Sequence, residues 1–272
     1  MKKTKKVLGL SVLFTAMTSL NVMAQANLSE GFDHSHRSEK NVVRDEYRKP
    51  FETLSFFGVK ENNKVVEILP GGGWYTEILA PMLKDKGELV AVHYPHSTPS
   101  KYRKRSRENF DKKLADNKGV YGNVVVADFM ANGDVDKKAK NADFVLTFRG
   151  LHGLQNGNGL ASAFVQFNEM LKEGGKLGVV QHQAPDDFNV NAASGKGYLP
   201  KPYIVAVANA AGFDLVAESH MHHNAKDRIL IDGAEAGVWS LPPSLNVKTE
   251  EEKTKYKKVG ESNRMTLLFK KR

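Results

Sequence analysis

The stretch KVVEILPGGGWYT, residues 64–76, decides the fold of this chain. Residues 65–69 form an apolar run that only Glu67 interrupts, which is typical of a strand covered on both faces. Three glycines at 71–73 follow, and glycine allows positive φ angles and close approach of the backbone to a ligand. The helix predicted over 76–83 presents unpaired N–H groups at its start. The pattern predicts a turn that binds a nucleotide-like ligand, although a purely structural turn has the same glycines.

Around this unit, short apolar runs alternate with longer amphipathic segments. Further strands are predicted at 89–92, 124–127, 144–148 and 177–180, and helices at 38–49, 51–57, 100–118, 160–173 and 203–211. This alternation predicts an α/β fold with a doubly wound, Rossmann-like, mainly parallel sheet and right-handed crossovers. Two more strands, at 213–219 and 264–270, predict an antiparallel C-terminal edge. A polar connection that includes the charge run 248–258 separates them.

The N-terminal residues have the features of a secretory signal. Lysines precede an apolar stretch at 7–23, and Ala24-Gln25-Ala26 supplies the small residues that a signal peptidase accepts. We expect cleavage after Ala26, export to the periplasm and no stable membrane anchor. An uncleaved anchor is the alternative, because the apolar stretch nearly reaches the ~17 residues that span a bilayer.

The rest of the chain is predicted to form one domain with an N-terminal extension. Residues 27–60 are expected to be a disordered lead-in to Arg37 and then a helical arm, in which Pro50 opens a helix that Gly58 ends. Residues 61–272 are expected to form the α/β domain. The absence of cysteine among the 272 residues excludes disulfides and thiolate sites. The formal charge of +9 includes four lysines of the signal, and the mild remainder predicts no nucleic-acid partner.

The segment from Glu67 to Thr76 resembles the first motif of class I S-adenosylmethionine-dependent methyltransferases. That motif has an acidic residue in the first strand, a glycine turn, and then Thr or Ser, and the order of elements agrees over 62–272. More narrowly, the chain resembles a group of predicted bacterial methyltransferases made with signal sequences. The shared segments are RDEYRKP at 44–50, WYTE at 74–77, TFRGLH at 147–152, GVWSLPP at 237–243 and GESNRM at 260–265.

The resemblance implies S-adenosylmethionine as the cofactor and methyl transfer to an unidentified small molecule as the activity. It implies that Gly71 and Gly73 lie against the methionine and ribose of the cofactor, and that Glu67 organises the turn. Asp128 is expected near the adenine amino group. The other residues expected at the cofactor or the reacting methyl are Trp74, His93, Phe148, Arg149 and His152.

Two positions depart from the family pattern. The family usually has glycine where Leu69 stands, and it usually has Asp or Glu at the position of His93 to bind both ribose hydroxyls. A neutral histidine accepts only one hydrogen bond. This departure predicts weaker binding of the cofactor, a different binding mode or another nucleoside.

Three residues are the catalytic candidates. His152 and His182 each follow a strand at the expected ligand edge, where an imidazole serves as a base or as a packed hydrogen-bonding group. Arg149 is suited to an anionic substrate or to an internal carboxylate. The aromatic residues that could face the sulfonium of the donor, or simply pack, are Trp74, Tyr75 and Tyr47.

Other clusters allow other functions. His93, His152 and His182 would suit zinc if the loops brought them together, but no metal site is predicted. The histidines at 220–223 are expected in a solvated loop, and the basic residues at 101–113 on a solvated helix face. The alternative function is an exported binding protein that keeps the fold without catalysis, because S-adenosylmethionine is a cytoplasmic metabolite.

Overall fold

A mainly parallel β-sheet is the central element of the computed structural model, which describes residue 29 and residues 32–272. The predicted signal peptide, residues 1–26, lies outside the described residues. Asp33–Arg272 form one unit. The strands are β1 (Lys64–Ile68), β2 (Glu88–His93), β3 (Val125–Asp128), β4 (Ala142–Phe148), β5 (Leu171–Ala184), β6 (Leu199–Pro200), β7 (Phe213–Ser219) and β8 (Arg264–Lys271).

The strand order identifies the architecture. Seven strands follow one another as β3-β2-β1-β4-β5-β8-β7, and the short β6 pairs with β5 off this path. Strands β1 to β5 pair in parallel, whereas β8 runs antiparallel to both β5 and β7. The predicted α/β fold with a mainly parallel sheet and an antiparallel C-terminal pair is confirmed. Strand β8 is inserted beside β5, so that β7 occupies the edge.

Helices connect these strands. Their bounds are α1 (Glu39–Val42), α2 (Asp45–Arg48), α3 (Pro50–Phe57), α4 (Thr76–Leu83), α5 (Lys101–Asp116), α6 (Lys118–Tyr121), α7 (Leu151–Asn156), α8 (Leu160–Met170), α9 (Val190–Gly195), α10 (Lys201–Ala210) and α11 (Glu250–Val259). Within the part of the chain that the structure describes, no helix combines the length and the apolar character needed to cross a bilayer.

The N-terminal arm is ordered earlier than the sequence predicts. Arg37, expected in a disordered lead-in, is buried. The helix predicted over 38–49 is two single-turn helices, α1 and α2, and the Ser38 side chain makes no capping hydrogen bond. Pro50 opens α3 and Gly58 ends it with a φ of 82°, as predicted. The arm therefore belongs to the same unit as residues 61–272.

Two elements in the C-terminal half were predicted wrongly. The helix predicted over 160–173 ends at Met170, and β5 begins at the next residue, so that Gly174 and Gly175 lie within the strand. The charge run 248–258, predicted as a connection, contains α11. Thr249 and Glu252 form a capping box there, which satisfies N–H groups at the start of the helix.

The arm packs on the sheet through a glycine of β5. A Cβ atom on Gly178 would lie 2.8 Å from the Phe57 ring and 2.7 Å from the Leu146 side chain. Phe57, the last residue of α3, is fully buried together with Leu54. Burial of apolar surface contributes about 25 cal/mol per Å², so this contact stabilises the arm against the sheet.

Candidate functional site

Two adjoining cavities lie at the carboxyl ends of the parallel strands. The larger, which we call the large cleft, has a volume of about 1020 Å³ and is lined by the glycine turn, by the loop after β4 and by the N-terminal arm. The smaller, the small cavity, has a volume of about 330 Å³ and is lined by the loops after β2 and β3 and by α7. Tyr94 and Gly153 line both cavities. The two cavities meet near the point where the strand order reverses, which is the usual ligand position in open α/β sheets.

The glycines of the turn have different roles. Gly71 and Gly73 both have positive φ angles, 61° and 76°. A Cβ atom on Gly71 or Gly72 would meet no atom within 4 Å, and both residues line the large cleft. A Cβ atom on Gly73 would instead lie 3.1 Å from the Phe110 ring. The first two glycines leave space for a ligand, whereas Gly73 leaves space for α5.

Glu67 holds the turn from behind. Its carboxylate accepts a hydrogen bond of 2.6 Å from the Thr76 hydroxyl, which joins β1 to the start of α4. The residue is buried, and desolvation raises its pKa to about 7. Glu67 does not line either cavity. Its hydrogen bond therefore links the strand before the glycine turn to the helix after it.

Two non-glycine residues at this edge have left-handed backbones. Leu69, directly after β1, has a φ of 48°, and Arg149, directly after β4, has a φ of 61°. Both line the large cleft. This conformation costs an L-residue with a Cβ about 1–2 kcal/mol, and such strain concentrates at functional sites. The glycine that the family usually has at Leu69 would adopt the same φ without strain.

His93, predicted at the ribose of the cofactor, lies behind the turn. Its side chain is fully buried and lines neither cavity. Its Nδ1 accepts a hydrogen bond from the backbone N–H of Tyr94 at 2.8 Å, and its Nε2 lies 3.2 Å from the carbonyl oxygen of Gly71. Both ring nitrogens of His93 therefore have backbone hydrogen-bond partners. Tyr94, which sequence reasoning missed, is the residue after β2 that faces the cavities.

Asp128 ends β3 as predicted, beside His93 in the sheet register. Its carboxylate accepts a hydrogen bond of 2.7 Å from Arg107, which also binds the Tyr94 carbonyl oxygen. Asp128 lines neither cavity, whereas the next residue, Phe129, lines the small cavity. The end of β3 therefore contributes an aromatic wall to this cavity, and the carboxylate is engaged by α5.

Two of the three aromatic candidates for contact with a sulfonium, Trp74 and Tyr75, are engaged by protein groups. The Arg48 guanidinium lies 4.4 Å from the ring centroid of Trp74, and the indole N–H donates to the carbonyl oxygen of Asn41. Tyr75 stacks on Phe148 with ring centroids 3.5 Å apart. Trp74 and Phe148 both line the large cleft. Trp74 thus joins the glycine turn to the N-terminal arm, and Tyr75 joins it to the end of β4.

The two histidine candidates come together in the large cleft. The ring centroids of His152 and His182 are 5.8 Å apart. The Gln181 amide nitrogen lies 3.4 Å from His152 Nδ1, and the Ser262 hydroxyl lies 2.5 Å from His182 Nδ1. Desolvation lowers the pKa of His152 to about 4 and holds the pKa of His182 well below its usual value. Both imidazoles are therefore neutral at pH 7.

Three arginines share a single carboxylate beside these histidines, and a fourth arginine lines the same cleft. Glu261 accepts a hydrogen bond from Arg44 at 2.7 Å and from Arg264 at 3.2 Å, and Arg48 Nε lies 3.6 Å from it. Arg149 also faces the large cleft, and burial lowers its pKa to about 10. Sequence reasoning gave no role to the other arginines, although RDEYRKP and GESNRM were among the shared segments.

The alternative clusters do not converge. No group of three or more His, Cys, Asp or Glu side chains placed to hold a metal occurs among the described residues. His222, expected in a solvated loop, is buried and bridges the Arg48 carbonyl oxygen (2.8 Å) and the Thr266 hydroxyl (2.6 Å), whereas the His220 side chain is 81% exposed. On α5, Arg107 is buried against Asp111 and Asp128, so the basic run is partly internal.

Comparison with known proteins adds one curated relative. No protein-family model matches the chain. The chain is 24% identical over 221 residues to the ubiquinone/menaquinone biosynthesis C-methyltransferase UbiE of Shewanella baltica (strain OS223). The match covers 78% of this chain and 82% of that protein.

Several solved structures share the fold. A SAM dependent methyltransferase from Aquifex aeolicus matches with a TM-score of 0.51 and 18% identity, covering 70% of this chain and 93% of that one. The glycopeptide N-methyltransferase MtfA complexed with sinefungin matches with a TM-score of 0.52 and 13% identity over 83% and 86%. The [4+2]-cyclase SpnF matches with a TM-score of 0.55 and 14% identity over 92% of both chains. The chain therefore has the fold of the class I S-adenosylmethionine-dependent methyltransferases.

Proposed function

We propose that this chain is an S-adenosylmethionine-dependent methyltransferase that acts on a small-molecule acceptor. The observation that carries the proposal is the open glycine turn where the two cavities meet. The side-chain positions of Gly71 and Gly72 are empty to 4 Å and face the large cleft. The similarity to a curated C-methyltransferase over most of its length supports the same activity.

The residues present fit this donor at both of its ends. The small cavity, between Phe129 and Gly153, has a mainly apolar wall that suits a purine. The turn at Gly71 suits the methionine and ribose parts, and Tyr94 lies between the two cavities. When bound, the donor supplies an electrophilic methyl group on a sulfonium. The protein's task is then to align the acceptor with that methyl and to exclude water.

His182 is the proposed proton acceptor. The Gln181 carbonyl oxygen accepts from the Leu151 N–H, so its amide N–H₂ faces His152 Nδ1 and places the proton of that ring on Nε2. With the Nδ1–H of His182 donated to Ser262, its Nε2 is free to take a proton from an acceptor hydroxyl or amine. His152 then acts as a hydrogen-bond donor in the same cleft.

Calorimetry of the full chain with S-adenosylmethionine and S-adenosylhomocysteine tests the proposal. We expect both ligands to bind, and Gly72→Val to abolish their binding, because its side chain would fill space that the ligand needs. Gly195→Val is the matched control. A Cβ atom there also meets no atom within 4 Å, and the residue lines neither cavity.

Two results would contradict the proposal. One is the absence of binding of either sulfur nucleoside at millimolar concentration. The other is equal binding by the Gly72→Val and Gly195→Val variants. Binding without any methylated product in extracts incubated with labelled donor would favour a binding protein that keeps the fold.

We also propose that the chain is exported and that residues 1–26 are removed. The basic, apolar and small residues of this segment, in that order, support cleavage after Ala26. N-terminal sequencing of the protein from the periplasmic fraction should begin at Asn27. An intact Met1 would overturn this localisation.

A further inference from the structure

We propose that Arg44, Arg48 and Arg149 form a binding site for an oxyanion, a carboxylate or phosphate group, of the methyl acceptor. The inference rests on the proposed function, since it names the substrate class of the same site. The three side chains come from the N-terminal arm and from the loop after β4, and all three line the large cleft.

Positive charge in this part of the cleft exceeds the negative charge that faces it. Glu261 is the shared counter-ion of Arg44, Arg48 and Arg264. The Arg264 guanidinium is fully engaged, because it also donates to the carbonyl oxygens of Ser262 and Tyr47. Arg44 and Arg48 share this one carboxylate with Arg264, and Arg149 has no ion pair among the described residues.

The guanidinium groups also have unused hydrogen-bond donors. Nη2 of Arg44 and both Nε and Nη1 of Arg48 are buried without a hydrogen-bond partner. Arg149 has no hydrogen bond or ion pair to its side chain among the residues that the structure describes. Buried donors without partners cost about 1–3 kcal/mol each, and more when charged. Such a set of donors is expected where a ligand completes the hydrogen bonds.

The acidic residues that line the cleft are already paired. Glu77 binds Arg37 and Lys113, and Asp116 binds Lys112. The neighbouring imidazoles of His152 and His182 are neutral at pH 7, so they neither repel a cation nor replace an anion. A carboxylate or phosphate on the ligand would supply the missing negative charge, and guanidinium groups bind both in bidentate geometry.

The position of the cluster assigns it to the acceptor. In the sheet order β3-β2-β1-β4-β5-β8-β7, the small cavity lies at β2 and β3, and the glycine turn lies at β1. Arg149 follows β4, and Glu261 precedes β8, on the opposite side of the turn from the small cavity. The large cleft of about 1020 Å³ lies at the upper end of the roughly 300–1,000 Å³ of single-ligand pockets, and the adjoining small cavity adds about 330 Å³ for part of the donor. The large cleft therefore has room for an acceptor beside the donor.

Anion binding to the full-length protein tests the inference. Inorganic phosphate and benzoate are titrated at constant ionic strength, and their dissociation constants are obtained from the shift in the thermal unfolding midpoint. Arg149→Asn removes a guanidinium that pairs with no protein group, and asparagine tolerates the left-handed backbone at this position. We expect the dissociation constant of at least one probe to rise about tenfold or more. Arg105→Asn, an exposed arginine on α5, is the control and should leave it unchanged.

Parallel titrations with S-adenosylhomocysteine separate this inference from the proposed function. We expect Arg149→Asn to leave the affinity for this nucleoside unchanged, and saturating nucleoside to leave anion binding intact. Equal anion affinity in Arg149→Asn and the unchanged protein would overturn the inference. Loss of anion binding under saturating nucleoside would also overturn it, by assigning the arginines to the donor's carboxylate. Anion binding without nucleoside binding would leave the oxyanion site standing and remove the methyltransferase proposal.

Discussion

Arg44 and Glu261 are 217 positions apart in the chain, and the Arg44 Nε donates to the Glu261 carboxylate at 2.7 Å. This contact joins the loop between α1 and α2 to the residues that precede β8. Glu261 is buried, but the neighbouring arginines, Arg48 above all, lower the pKa of its carboxyl group. The carboxylate is therefore ionised. One side chain thus holds together the two ends of the unit that forms the large cleft.

Removal of this carboxylate should be strongly destabilising. We expect Glu261→Gln to lower the free energy of unfolding by about 3–5 kcal/mol, because it leaves buried guanidinium groups without a counter-ion. Urea unfolding followed by circular dichroism measures the change. Asp232→Asn is the control, since the Asp232–Arg228 pair is exposed and such pairs contribute about 0–1 kcal/mol. Similar losses in the two variants would contradict the role of Glu261.

Arg149→Asn should stabilise the ligand-free protein. The substitution relieves the cost of a left-handed backbone at a residue with a long side chain, about 1 kcal/mol, and removes a partly buried charge that has Arg264 near it. An increase in the free energy of unfolding of about 1–2 kcal/mol is expected from the same urea titration. A loss of stability would mean that this guanidinium supports the fold. A gain would fit a site in which binding is maintained at the expense of stability.

Glu67 should make stability fall as the pH rises. Its pKa is raised to about 7 in the folded chain from 4.5, so its contribution is present below pH 4.5 and is lost between pH 4.5 and 7. We expect Glu67→Gln, which keeps an acceptor for Thr76, to gain about 2–3 kcal/mol relative to the unchanged protein over this interval. Unfolding at pH 4.5 and pH 8 measures the difference. A constant difference at the two pH values would show that folding leaves the pKa of Glu67 unshifted.

His222 should act in the opposite direction. Its pKa is lowered to about 4 by burial, so its contribution is present above pH 6.5 and is lost as the pH falls towards 4. Glutamine can donate to the Arg48 carbonyl oxygen in its place. We expect His222→Gln to reduce the acid loss of stability between pH 7 and 4.5 by about 2–3 kcal/mol. His220→Gln, two residues away and exposed, should leave that loss unchanged.

The sequence predicts the elements whose residues are close together in the chain. Apolar runs identify the strands, and residues 64–76 identify the turn, because a strand, glycines and a helix start are local features. The orientation of the His93 side chain could not be predicted from such local features. The residue ends a strand at the expected place, but its ring nitrogens are used by Gly71 and Tyr94, which depends on how the turn folds back.

The arginine cluster shows a second limit. Arg44, Arg48 and Glu261 all stand in segments that the sequence singles out, yet their meeting depends on contacts across more than two hundred residues. The charge run before β8 was predicted as a connection because its apolar residues are sparse. Only the capping box at Thr249 and Glu252 indicates a helix there, and this signal was available in the sequence.

The insertion of β8 between β5 and β7 has a consequence for the order of folding. The last strand in the chain is not the last strand in the sheet, so β7 can join the sheet only when β8 is present. Contacts this distant in sequence form slowly and late. A chain that is still being made, or one that a protease has cut before Glu261, has the complete glycine turn but no counter-ion for its arginines. Residues 261–271 therefore supply both the carboxylate that pairs with Arg44 and the strand on which β7 pairs.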